Sequence, residues 1–152
     1  MEKYFIAKSE NYPNIVLDIK YEDYKRFYSA HAKNLQGEEM GFVNFNFGTH
    51  ERTTWIWKIE TQEQFQHQGV GSVLLSYLEY ESYNHRYYYV EGKYFPSNAY
   101  AKPFYEKMNY TFDVDGYDQF ISKFLTPENI IPFTVTEVAA PEESTPEENP
   151  ER

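Results

Sequence analysis

Apolar and polar residues alternate along the first sixty positions, and then the period changes. Met40 to Phe47 (MGFVNFNF) is the clearest case: Phe42, Val43, Phe45 and Phe47 are apolar, and Asn44 and Asn46 separate the last three. A period of two predicts a half-buried strand. Thr53 to Ile59 (TTWIWKI) is similarly rich in β-formers. Upstream, Tyr4 to Ala7 and Ile15 to Ile19 read as short extended pieces around the turn signal Asn11-Tyr12-Pro13-Asn14. Tyr24 to Lys33 mixes aromatic and polar residues and predicts a strand. A helix is the competitor there, because Ala30 to Lys33 do not oppose it. With a hairpin turn at Leu35-Gln36-Gly37-Glu38, the piece from Tyr24 to Ile59 is predicted as an antiparallel meander.

Beyond Ile59 a glutamine-rich turn leads into Gly69-Val70-Gly71. Val70, Val73, Leu74, Tyr77, Leu78 and Glu81 then fall at spacings of three and four, which predicts a helix from about Gly71 to Asn84 with one apolar stripe. Arg86 to Glu91 reads as a strand. Asn98 to Met108 reads as a short helix with Asn98 suited to its N-cap, and Pro103 inside it predicts a late start or a kink. Asn109 suits the left-handed residue that closes a helix. Tyr110 to Phe112 and Tyr117 to Leu125 are strands around Asp113-Val114-Asp115-Gly116. A strand–helix–strand unit needs a right-handed crossover, so the strand before the helix and Tyr87 to Val90 should run parallel. The fold class is α/β, an α+β mixed sheet. Residues 1–125 are read as one domain. A Pro/Glu-rich acidic tail is expected over 126–152, disordered from about Ala139.

Composition narrows the function classes. The net charge is -10. Six Glu and one Arg between Glu137 and Arg152 supply half of it, leaving -5 on the body. A mildly acidic body argues against a nucleic-acid binder, which needs a Lys/Arg patch, and is compatible with cationic amines. There is no cysteine, so disulfides, thiolate metal sites and Cys nucleophiles are excluded. His31, His50, His67 and His85 show no ligand spacing, so no metal is expected. Residues 1–20 show no signal-peptide pattern and no run approaches a membrane span, so no membrane association is expected and the cytoplasm is the default compartment. Trp55 and Trp57 share a face of one strand. Core packing is the favoured reading, and a wall of an acceptor pocket is the sharper one.

A strand that opens through glycines into a helix offers free backbone N–H groups and a positive dipole end to an anion. The glycine turn alone is a weak signal. A dinucleotide fingerprint needs a third glycine where Leu74 stands. A P-loop needs a Lys before Ser72, and a nucleophile elbow needs Gly-x-Ser-x-Gly. What remains is Gln66-His67-Gln68-Gly69-Val70-Gly71, or Gln-x-x-Gly-x-Gly. With it comes a second segment, Asn98 to Tyr110 (NAYAKPFYEKMNY), one helix and one strand later.

In these two motifs and their spacing the chain resembles the GCN5-related N-acetyltransferase (GNAT) family, well from about Met40 to Phe124 and poorly before it. The resemblance implies a GNAT-like acyl-CoA N-acyltransferase fold with an antiparallel N-terminal meander and reduced N-terminal helices. It implies acetyl-CoA as co-substrate and no metal. Its pyrophosphate would lie on the amides of Gln68, Gly69, Val70, Gly71 and Ser72, with Gln66 and His67 in the same turn, and Ile59, Glu60 and Thr61 would pair with the pantetheine arm. Asn98 would hydrogen-bond the cofactor. Tyr105 would protonate the departing thiolate, since an unperturbed Tyr and a thiol titrate within about two units of each other. Glu60 would take the proton of the attacking amine. The family's usual basic residues are replaced by His67 and Gln68.

The expected activity is transfer of an acetyl group to a primary amine, on a small molecule or a protein. A homodimer is left open. Two other readings stand beside it: an acyl-CoA-binding scaffold or sensor without turnover, and a protein whose acidic tail docks a basic partner.

Overall fold

The computed structural model describes residues 1–48, 52–95, 97 and 99–141. Strands β1 (Glu2–Lys8), β2 (Val16–Glu22), β3 (Phe27–Lys33), β4 (Glu39–Phe47) and β5 (Thr53–Thr61) follow one another. Helix α1 (Val70–Asn84), β6 (Tyr89–Lys93), α2 (Ala101–Lys107), β7 (Thr111–Asp115), β8 (Asp118–Phe124) and β9 (Thr134–Val138) complete the chain. All nine strands join one sheet in the order β7-β8-β6-β5-β4-β3-β2-β1-β9. Every pairing is antiparallel except β5 with β6, where α1 makes the crossover.

The meander forms as its period predicts, and Tyr24 to Lys33 resolves as strand rather than helix. The N-terminal helices expected to be reduced are replaced by strand: residues 21–34 are used by β2, β3 and a turn. One face of the sheet carries the core: Leu17, Ile19, Tyr28, Ala30, Val43, Phe45, Ile56 and Val90 are buried there against α1. The other face carries no helix among the described residues.

Three sequence expectations are corrected. First, the boundary at residue 125 does not hold. After β8 the chain crosses over α1 and adds β9 to the far edge of the sheet, paired with β1. Phe133 is buried against Tyr77 and Tyr80 of α1, with ring centroids 5.6 Å from each. This strap explains why α1 buries 11 of its 15 residues rather than a single stripe. Pro and Glu dominate the composition after Thr126 and hide the few apolar anchors. The tail expected from Ala139 lies almost wholly outside the described residues, which end at Pro141. Second, α2 spans seven residues with Tyr100 at its N-cap, and Asn98 lies outside the described residues. The late start expected from Pro103 is observed: α2 begins at Ala101, so Pro103 is its third residue, where no intrahelical acceptor awaits an N–H, and the helix has no need to kink. Third, Trp55 and Trp57 share a face, but it is the helix-free one, and Trp57 is 62% exposed.

The buried carboxylate of Glu79 is paired. Tyr110 donates its hydroxyl to Glu79 Oε2 at 2.8 Å, and Lys123 Nζ lies 3.2 Å from both Glu79 oxygens and donates to Met108 O at 2.9 Å. This ties α1 to β8 and to the end of α2. Thr54 and Ser82 hydroxyls meet at 2.7 Å between β5 and α1.

Candidate active site

The site begins at a defect in the sheet. Strand β5 pairs with β4 along its whole length but meets β6 only from Thr53 to Ile56. From Trp57 to Thr61 its second edge has no strand partner among the described residues. The register with β4 shifts at the same place: Asn44 pairs with Lys58, and Phe45 with Ile56, leaving Trp57 as an extra residue. Such a bulge bends a strand and increases its twist, here at the point where β5 and β6 part.

Backbone alternation decides what the open edge presents. The Gln62 N–H donates to Met40 O at 2.9 Å, toward β4. The amides of Glu60 and Lys58 therefore also face β4, and the N–H and C=O groups of Ile59 and Thr61 face the opening. Their side chains point the other way from that of Glu60. Ile59 packs on the core beside α1. Glu60 lies on the helix-free face with Phe42 and Lys58, and Lys58 Nζ is 3.8 Å from its carboxylate. Gly41 backs this edge closely: a Cβ there would collide with the Glu60 carbonyl oxygen.

The open edge leads into the glycine turn. Residues 63–65 form a short helical turn, and the chain then reverses through two left-handed residues, His67 (φ 66°) and Gly69 (φ 84°). A left-handed histidine costs on the order of 1 kcal/mol or more, and such residues cluster at functional sites. Gly69 is the N-cap of α1, so no side chain caps the helix, and its first turn holds no acid. Val73 N–H is the first to find an intrahelical acceptor, Gly69 O at 3.0 Å. The amides of Gly69, Val70, Gly71 and Ser72 are left without one, at the positive end of the dipole. A cavity of about 320 Å³ adjoins this turn, lined by Gln68, Met40, Tyr12 and neighbouring asparagines and bearing no charged side chain.

Helix α2 closes the other side. Its Phe104 ring lies so near Gly71 that a Cβ there would stand 3.0 Å from it. Any larger residue at 71 would have to push the Phe104 ring aside by a few tenths of an ångström. The His67 and Tyr100 rings, 6.2 Å apart, bring the two entry turns together. Tyr105 follows Phe104 and is buried between the Phe104 and Tyr110 rings, with centroids at 5.2 and 5.7 Å. Its hydroxyl has no hydrogen-bond partner among the described residues. Burial alone pushes Tyr105 up to about 12. The gap to a thiol near 8.5 is therefore about 3.5 units, wider than the sequence expectation of about two.

The structure thus places Ile59, Glu60 and Thr61 on one open edge and runs Gln66 to Ser72 on from it, while Tyr105 is buried next to the Phe104 that packs on Gly71. Glu60 lies on the helix-free face and Tyr105 in the core on the helix side. Sequence reasoning missed the bulge at Trp57, the Lys58–Glu60 pair and the Phe104 contact. One signal for the bulge was present: Ile56 and Ile59 are three positions apart, so a regular strand of period two could not turn both to the core.

Known proteins share this architecture. No curated protein sequence matches the chain. Among solved structures, an acetyltransferase of the GNAT family from Staphylococcus aureus MU50 superposes with a TM-score of 0.62 at 12% identity, over 68% of this chain and 70% of that one. A GNAT family acetyltransferase from Elizabethkingia anophelis, with acetyl-CoA bound, gives 0.58 at 20% identity over 66% and 77%. The PaiA N-acetyltransferase of Thermoplasma acidophilum, in complex with coenzyme A, gives 0.58 at 16% identity over 65% and 61%. At these identities the likeness concerns the fold, a mixed sheet of the GNAT acyl-CoA N-acyltransferase type. The family model described as acetyltransferase (GNAT) family matches residues 2–110, well over half of the sequence, and the chain belongs to that family.

Proposed function

We propose that the chain is an acetyl-CoA-dependent N-acetyltransferase. The observation that carries this reading is the continuous run from an unpaired strand edge to an uncapped helix N-terminus. An extended amide-bearing arm can add to Ile59 and Thr61 as a strand would, and a pyrophosphate can sit on the amides of Gly69 to Ser72. Acetyl-CoA has these two parts in this order. No Lys or Arg stands in the Gln66–Ser72 turn, so backbone and dipole carry the anion.

The acceptor amine attacks the thioester carbonyl directly. A new C–N bond forms, the C–S bond breaks, and the carbonyl oxygen is polarised by an open-edge amide. Glu60, on the helix-free face, takes the amine proton directly or through one water. The thiolate leaves toward Tyr105. A tyrosine held near 12 keeps its proton throughout the neutral range, so it stabilises the departing sulfur as a hydrogen-bond donor, and solvent completes the protonation. The cytoplasm remains the expected compartment.

One observation favours the second reading, a scaffold or sensor that binds acyl-CoA without turnover. Lys58 Nζ lies 3.8 Å from the Glu60 carboxylate and competes for it with an incoming amine. One experiment decides: release of free thiol from acetyl-CoA over a panel of primary amines, alongside binding of acetyl-CoA by calorimetry. Amine-dependent release supports the enzyme. Binding without release for any amine supports the scaffold, and neither binding nor release overturns both.

A further inference from the structure

The helix-free face of the sheet carries a cluster that the reaction above does not use. Trp55, Trp57 and Phe120 stand together there, with ring centroids 6.1 Å apart for the two tryptophans and 6.4 Å for Trp55 and Phe120. Trp57 is fixed by donating its indole N–H to Asn46 Oδ1 at 2.9 Å. Glu91 lies among these rings. It pairs in register with Trp55 on one side and Ser122 on the other, and Tyr89 and Lys93 are its neighbours on the same face of β6.

Glu91 is a half-buried residue, and its carboxylate has no hydrogen bond or ion pair among the described residues. The nearby cations are engaged elsewhere: Lys93 with Asp118 at 3.5 Å, and Lys58 with Glu60 and over the Phe42 ring at 5.8 Å. A carboxylate attracts a cation at short range, and aromatic faces do so too. Together they suit an ammonium group on an apolar stem. Exposed aromatics alone would fit many partners; the unpaired charge selects a cationic one.

Position ties this cluster to the reaction. Trp55 precedes Ile59 by four residues, about 13 Å on an extended strand and somewhat less across a bulge. Face and distance place the cluster on the side from which an amine would approach Glu60, because α1, α2 and the C-terminal strap fill the other face.

We propose that Glu91, with Trp55, Trp57 and Phe120, binds the distal ammonium of the acceptor, making alkyl diamines with nitrogens on the order of 10 Å apart the preferred substrates. This rests on the acetyl-transfer reading and names its substrate class. Only the near nitrogen reacts: it gains the acetyl group and loses a proton to Glu60, and the C–S bond breaks to give the CoA thiolate.

The test reads binding without turnover. The protein has two tryptophans, both in the cluster, so intrinsic fluorescence reports occupancy. The full chain is titrated with 1,8-diaminooctane and with n-octylamine. The diamine is expected to saturate at about ten-fold lower concentration than the monoamine. Glu91→Gln should remove that advantage and leave the monoamine unchanged, and Phe120→Leu should weaken the diamine while retaining the thermal transition. Equal binding of the two amines, no change in Glu91→Gln, or no binding of either overturns the proposal. Parallel thiol-release assays separate it from the reading it rests on. Glu91-dependent diamine binding without thiol release keeps the site and rejects the transferase. Thiol release with no diamine preference does the reverse.

Discussion

Lys123→Met should destabilise the fold by an amount that depends on pH. Glu79 is 3% exposed and receives Lys123 at 3.2 Å on both oxygens. Burial raises its carboxyl above the usual range, and Lys123 and the Tyr110 hydroxyl oppose that shift without cancelling it. A carboxyl whose folded value is raised contributes stability at low pH that is lost as pH rises through the folded value. Removing Lys123 removes the main opposing influence and leaves an uncompensated buried charge, a loss of about 3–5 kcal/mol at neutral pH. At lower pH Glu79 takes up a proton and stays bonded to Tyr110, so the loss should shrink. The residue is the lost bond to Met108 O, about 1–2 kcal/mol. Urea denaturation of variant and parent at pH 7.5 and pH 5.5 measures the difference. Glu79→Gln combined with Lys123→Met should show only the small loss at both pH values. A Lys123→Met loss that is the same at both pH values, or below about 1 kcal/mol at pH 7.5, refutes the reasoning.

Other consequences follow from single positions. Because Tyr105 is held near 12, the rate of thiol release should show no falling limb from this group below about pH 11; Tyr105→Phe should lower kcat at least about ten-fold with acetyl-CoA affinity unchanged, and equal kcat would reject its role. Gly41→Ala places a methyl against the Glu60 carbonyl oxygen and should cost about 1–3 kcal/mol, measured as a fall in Tm. Gly37→Ala, with φ 85° and open space around it, should cost only backbone strain of about 1 kcal/mol; a smaller loss at Gly41 than at Gly37 would contradict the close approach. Phe133→Ala should cost about 3–5 kcal/mol, whereas deleting 142–152 should leave the thermal transition unchanged; a neutral Phe133→Ala would mean the strap does not support α1.

What could be read from the sequence divides along physical lines. The meander and α1 were legible because burial on one face imposes a period that composition cannot mask. The alternation of MGFVNFNF records its one buried face, and the three-and-four spacing of Val70 to Leu78 records the side of α1 that packs on the sheet, though not the further side that the strap covers. The glycine turn was legible because a left-handed N-cap at Gly69 and the close approach of Phe104 to Gly71 both favour glycine. The strap was not. Only Leu125 and Phe133 are buried in it, and β9 is an edge strand whose Thr and Glu side chains face solvent, so hydrogen bonds to β1 rather than apolar burial hold it. The parting of β5 from β6 was equally silent, because it concerns backbone pairing, which side-chain pattern reports only through the spacing of Ile56 and Ile59. Trp55 and Trp57 misled for a related reason: large aromatics normally mark a core, and here the core lies on the face of Thr54 and Ile56.

The central claim is that one bound molecule spans the open edge of β5 and the N-terminus of α1. Amide hydrogen exchange on the full chain, with and without saturating acetyl-CoA, tests it directly. The account predicts slowed exchange at Ile59, Thr61 and Gly69 to Ser72 together, with little change at Lys58 and Glu60, whose amides already face β4. Protection confined to other regions, or protection at the helix start without any at Ile59 and Thr61, contradicts it.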